Sequence, residues 1–137
     1  MLITLALSCS KGELGSEEVQ DCSNVNCTEQ LAWITLKLID ESGNPVALDR
    51  MKVTSMSDGK DLTKTYHPEE WDAARRLGSY AVTGDIDDRY FPKFKHVKLR
   101  FQGYIGKREL VKADYVVAFG CCHIGLVSGE RELMVRY

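Results

Sequence analysis

The sequence predicts an all-β protein: an antiparallel β-sandwich of about seven strands with one short helix. Apolar and polar residues alternate with period two in several separate stretches, and turn-forming residues recur between them. Only the stretch 68–77 carries the marks of a helix. With 137 residues, the chain is long enough for one domain around a single modest core.

The first strand is read in LAWITLKLID. Ala32, Ile34, Leu36 and Leu38 share one face there, and Trp33, Thr35 and Lys37 share the other. Asp40-Glu41-Ser42-Gly43-Asn44-Pro45-Val46 is a turn, since Gly43 tolerates positive φ and Pro45 removes a donor. A second strand covers Met51–Met56. Ser57-Asp58-Gly59-Lys60 then reads as a hairpin, with Asp-Gly suited to a type I′ turn. In Pro68–Leu77, Pro68 fits the first helical turn, Glu69 and Glu70 suit its positive end, and Arg75 and Arg76 suit the other. Strand character resumes in Gly78–Val82. In His96–Gln102, Val97, Leu99 and Phe101 point inward, and Gly103–Lys107 turns the chain.

Arg108–Phe119 aligns Val111, Ala113, Tyr115, Val117 and Phe119 on one face. Cys122, Ile124 and Leu126 are out of phase with that set, which predicts a bulge or bend at Gly120-Cys121. Ser128-Gly129-Glu130 turns into a last strand carrying Leu133, Val135 and Tyr137.

Upstream of the sandwich the composition changes. Leu5-Ala6-Leu7-Ser8 runs into Cys9 and then polar Ser10-Lys11-Gly12, a pattern that resembles the lipobox of bacterial lipoprotein signal peptides. The resemblance implies cleavage before Cys9, acylation of that cysteine, and a membrane-anchored, extracytoplasmic location in a Gram-negative bacterium. Met1–Ser8 is short and lacks Lys and Arg, so Met1 reads as an internal residue. The expected organisation is a truncated signal peptide over 1–9, a flexible tether over 10–29 and the sandwich over 30–137.

With Cys9 acylated, four of the five cysteines remain, an even number in an oxidising compartment. A local Cys22–Cys27 bond would leave Cys121 and Cys122 a strained vicinal pair or free thiols. Pairing each early cysteine with one of the later two avoids this and is the expected arrangement. Closing a loop on the order of 100 residues stabilises by about 4.7 kcal/mol in chain-entropy models.

Charge and hydropathy exclude some function classes. Eighteen basic and 20 acidic residues give net −2, which is no nucleic-acid-binding field. No apolar run approaches the roughly 18 residues of a membrane span. Membrane contact is expected through acylated Cys9, together with an unknown protein or glycan partner. Asn26-Cys27-Thr28 matches a glycosylation sequon, which matters only in a eukaryotic host.

Three constellations carry possible chemistry. Cys121-Cys122-His123 suggests a thiol nucleophile or a metal or redox site, yet strand neighbours point to opposite faces and no C-x-x-C pair occurs. Asp85, Asp87 and Asp88 are calcium candidates without the full loop pattern; a solvated turn capping a helical turn at Arg89-Tyr90 is the preferred reading. Trp33, Tyr66, Trp71, Tyr90 and Tyr104 suggest an aromatic ligand platform, for instance for sugar rings. The preferred alternative covers Trp33 with the N-terminal segment and uses Trp71 to anchor the helix. The basic stretch 93–100 reads as a solubilised edge strand, with an acidic partner or headgroups second. No catalytic residue and no cofactor are expected.

Ile34–Ile39 followed by Asp40-Glu41-Ser42-Gly43-Asn44-Pro45-Val46, then Val53, resembles the carboxypeptidase-regulatory-like and Cna-B-type domains. Gly78-Ser79-Tyr80-Ala81-Val82 is similar to that family's Gly-x-Tyr-x-Val strand. The ending, Tyr115-Val116-Val117 through Cys122-His123 to Val127-Ser128-Gly129, is similar to small lipoproteins carrying the domain. Over 30–137 the resemblance implies an immunoglobulin/transthyretin-like sandwich from a bacterial surface protein. The Lys–Asn isopeptide bond of Cna-B domains is not expected: Lys37 offers an amine, but no Asn follows Ala113, and Asp114 precedes the last strands. The expected function is a non-enzymatic, lipid-anchored binding or adaptor module. The alternatives are an enzymatic site at Cys121-Cys122-His123 and a structural subunit that assembles by edge-strand pairing.

Overall fold

The computed structural model describes residues 22–137, so Cys9 and residues 10–21 of the tether lie outside the described residues. Seven strands form two sheets: β1 (Trp33–Ile39), β2 (Arg50–Ser55), β3 (Ser79–Gly84), β4 (His96–Ile105), β5 (Arg108–Phe119), β6 (Ile124–Ser128) and β7 (Glu132–Met134). One sheet has the order β3-β1-β7 and the other β2-β4-β5-β6. Helix α1 (Pro68–Leu77) has the bounds read from the sequence, and a 3₁₀ turn spans Asp85–Tyr90.

Alternation decides the core. Ile34, Leu36 and Leu38 of β1 are buried while Thr35 and Lys37 are exposed. They meet Val53 of β2, Leu99 and Phe101 of β4, and Tyr115, Val117 and Phe119 of β5, so the core lies between the sheets. β1 pairs antiparallel with β3 and parallel with β7, which brings the end of the chain back beside its first strand. The last strand departs from the expected inward set. Val135 is buried, but Tyr137 is 66% exposed, because pairing with β1 ends at Met134.

Turn chemistry closes the first connection: Asp40 Oδ1 accepts from the backbone N–H groups of Ser42 and Asn44, both at 2.9 Å. After β2 the sequence reading is corrected. A type I′ turn needs positive φ at both central residues, but Gly59 is left-handed at φ +75° while Asp58 is not. The loop is longer, with Gly59 N donating to Ser55 O and Ser55 N to Lys60 O. The returning chain then lines β2, where Leu62 N donates to Val53 O and Thr63 Oγ1 accepts from Val53 N.

Two further boundaries move. β4 continues through Gly103 to Ile105, with a register irregularity between Gly103 and Tyr104 in place of the expected turn there. The phase slip near Cys121 is a hairpin loop between strands rather than a bulge within one. Gly120 N donates to His123 O, and the loop sets Ile124 opposite Phe119 and Leu126 opposite Val117. Both sets therefore face the same side.

Tyr80 ties the sheets to the loop before β2. Its buried hydroxyl donates to Val46 O at 2.6 Å and accepts from Leu48 N at 2.8 Å. Tyr80→Phe leaves both backbone groups without this partner and is expected to cost about 1–3 kcal/mol in urea unfolding, with the fold retained.

Candidate functional site

The four cysteines meet at one end of the sandwich. Cys22 bonds Cys121 and Cys27 bonds Cys122, with Cα–Cα distances of 5.3 and 5.2 Å and sequence separations of 99 and 95. Adjacent residues of the β5–β6 loop thus take one early cysteine each. The bonds belong to an oxidising compartment, and among the described residues no helix is long and apolar enough to cross a membrane.

The residues that follow Cys27 and Cys122 also meet. Thr28 Oγ1 lies 3.3 Å from His123 Nε2, and His123 Nδ1 lies 2.6 Å from Asp85 Oδ2. Asp85 is only 8% exposed. Its Oδ2 also accepts from Ala32 N and its Oδ1 from Ile124 N, each at 2.7 Å. Burial pushes the Asp85 carboxyl up, but the donors Ala32 N–H, His123 and Ile124 N–H together outweigh it and hold the group below its ordinary value. An ionised Asp85 orients the imidazole through Nδ1 and leaves Nε2 facing the Thr28 hydroxyl. A cavity of about 180 Å³ beside it is lined by Thr28, Gln30, Leu31, Ala32 and His123.

This geometry corrects two readings of the sequence. Cys121 and Cys122 are consumed by disulfides, so no thiol remains there for a nucleophile or metal ligand. His123, expected on a strand and partly exposed, is partly exposed but lies in the loop before β6, held by Asp85. The acidic turn is not solvated throughout either. Asp85 and Asp87 are buried, Asp87 Oδ2 accepts from Thr83 Oγ1 at 2.7 Å, and Asp88 faces Lys93 at 3.5 Å. The three carboxylates are turned to separate donors: Asp85 to Ala32, His123 and Ile124, Asp87 to Thr83, and Asp88 to Lys93. Among the described residues no group of three or more His, Cys, Asp or Glu side chains is arranged to hold a metal ion.

The aromatic candidates divide. Trp33 projects from the outer face of the three-stranded sheet and lies flat against Gly84; a Cβ at Gly84 would fall 2.4 Å from the indole. Trp33 separates two clefts. One, about 320 Å³, runs between the 61–65 segment and the 3₁₀ turn, with Thr63, Lys64, Asp87, Arg89 and Tyr90 in its lining. The other, about 370 Å³, has Thr35, Ser79 and Ala81 as its floor and α1 as its wall, with Tyr66 at one side. Lys64 lines both clefts: its Nζ pairs with Glu70 at 2.6 Å and lies 4.2 Å from the Tyr66 ring centroid. Lys60 Nζ sits 3.8 Å over Tyr90.

Trp33 and Tyr66 are therefore brought together around Lys64, while Tyr90 lines the first cleft beside Lys60 and Arg89. Trp71 lies behind them, 5.2 Å from Tyr66 and 5.7 Å from Tyr80, anchoring α1 to the core. Tyr104 is on the other sheet beneath Arg50. Sequence reasoning missed the Asp85–His123–Thr28 array because its members are distant in sequence, and it missed Lys64 because a single lysine in a loop carries no pattern.

No protein-family model, no curated protein and no solved structure matches the chain.

Two outcomes test the site. Asp85 titrates below its ordinary 3.8 in the folded protein. Its bonds thus stabilise fully above that ordinary value and are lost as pH falls through the lower folded one. Asp85→Asn places an NH₂ against donors; it is expected to cost about 1–3 kcal/mol at neutral pH and to flatten part of the stability loss below about pH 4. Denaturant unfolding at several pH values reads both. Gly84→Ala in a Trp71→Phe background is expected to push Trp33 off its seat, seen as a red shift of the remaining tryptophan emission.

Proposed function

We propose that the chain is a non-enzymatic, extracytoplasmic binding or adaptor module. In this reading Cys9 carries the lipid and the sandwich presents the Trp33 clefts to a protein or glycan partner. The double disulfide carries the proposal. It suits an oxidising compartment, and it fastens the segment arriving from Cys9 to the β5–β6 loop, so a pull on the tether reaches the folded domain. The clefts support a binding role, since aromatic walls and polar groups together suit a ligand with apolar faces and hydroxyls. The carboxypeptidase-regulatory-like or Cna-B-type relationship belongs to the same proposal, supported by the two-sheet architecture.

Assembly by edge pairing is the lesser reading. On β3, Tyr66 Oη already accepts from Ala81 N, and the returning 60–63 segment lines β2.

Fractionation of the native host tests the anchor. The protein is expected in the membrane fraction, with an intact mass that includes acyl chains on Cys9 and no free thiol. Cys9→Ala is expected to release it once the membranes are washed in high salt, where surface charge attraction is screened. An unacylated, soluble native protein refutes the reading.

A further inference from the structure

The outer face of the four-stranded sheet is basic although the whole chain carries net charge −2. Val53, Leu99, Phe101, Tyr115 and Val117 point inward, so the alternate residues of β2, β4 and β5 point outward. The register arranges them in rows. Lys52, Gln102 and Lys112 lie side by side; Arg100 lies between Thr54 and Asp114; Arg50, Tyr104 and Glu109 form the next row; and Lys98 lies beside Val116. Five cations thus share this face with two carboxylates. Asp114 is occupied by Arg100 at 2.8 Å and Lys98 at 3.6 Å, and Glu109 contacts Gln102 at 3.4 Å. Among the described residues Lys52 and Lys112 form no ion pair within 4.0 Å, although Asp61 beside β2 senses Lys52 through space.

A charged edge strand is ordinary protection against aggregation. Here the cations extend across two central strands, β4 and β5, and outnumber the carboxylates on the same face. We propose that this face docks on an anionic phospholipid bilayer. The setting rests on the membrane-tethered reading above, and two features favour this occupant. Residues 10–21 hold four acids against one lysine, so attraction to an anionic surface would come from the sheet and not from the tether. The Cys22–Cys121 bond fixes the tether at the end of the sheet where His96 faces Ala118. The twelve residues between Cys9 and Cys22 reach about 40 Å when extended. The twelve-residue strand β5 is also about 40 Å long. An anchored domain can therefore lie with this face on the bilayer.

The test uses the full chain carrying Cys9→Ala, so that no acyl group contributes. Co-sedimentation is compared on vesicles of phosphatidylglycerol with phosphatidylcholine and on phosphatidylcholine alone. Binding is expected to the anionic vesicles only, falling steeply with salt. Lys52→Gln/Lys112→Gln, which keeps the same N-terminal segment, is expected to weaken it on the order of thirtyfold, from about 1 kcal/mol per basic residue. No binding to anionic vesicles overturns the proposal. So does equal binding to neutral ones, or a double variant that keeps its circular dichroism spectrum and binds unchanged. The acylation state of native Cys9 is read separately, so failure of the anchor and failure of the face are distinguishable.

Discussion

The buried carboxylate of Asp85 is the point on which the arrangement at this end of the molecule depends. It joins the backbone entering β1 at Ala32, the backbone entering β6 at Ile124, and the His123 side chain, while its own residue begins the turn after β3. A carboxylate taken out of water needs donors on both oxygens, and here donors from distant parts of the chain provide them. The disulfides act on the same segments by a different route, tying the arm before β1 to the loop before β6. Covalent and electrostatic constraints therefore coincide, and Thr28 meets His123 because each follows a half-cystine of the same bond.

Local pattern explains what was legible in advance. Period-two alternation marked β1, β4 and β5, where one face is buried and the other wet. Proline, acids and arginines in the right order bounded α1 to the residue. Counting cysteines reached the joining of early to late cysteines, because the local alternative strands a vicinal pair, but not which early one takes which late one. What stayed hidden depends on non-local partners. β7 pairs parallel with β1, and nothing in Glu132–Met134 signals that orientation. The burial of Asp85 and Asp87 could not be told from ordinary turn acidity, since the donors that stabilise them lie on other elements or in local backbone geometry.

The same division runs through the aromatic residues. Trp71 packs as a core anchor, in keeping with the usual burial of large rings. Trp33 stays half exposed because its strand face is the solvent face, and it is seated by the absence of a side chain at Gly84. The clefts beside it are therefore properties of the pairing between β1 and β3 as much as of the aromatic residues. Lys64 lines both clefts, and its ammonium group, paired with Glu70 and over Tyr66, stands beside residues of the second.

The connectivity of the two bridges has a consequence for biogenesis. In a chain exported N-terminus first, Cys22 and Cys27 emerge together, while their native partners follow 99 and 95 residues later. An indiscriminate oxidant would join the early pair to each other, because consecutive thiols meet soonest. The mature molecule needs that bond either deferred until the chain is complete or undone by thiol–disulfide exchange. Correct maturation thus depends on when oxidation acts or on its reversal, and oxidising power alone does not suffice.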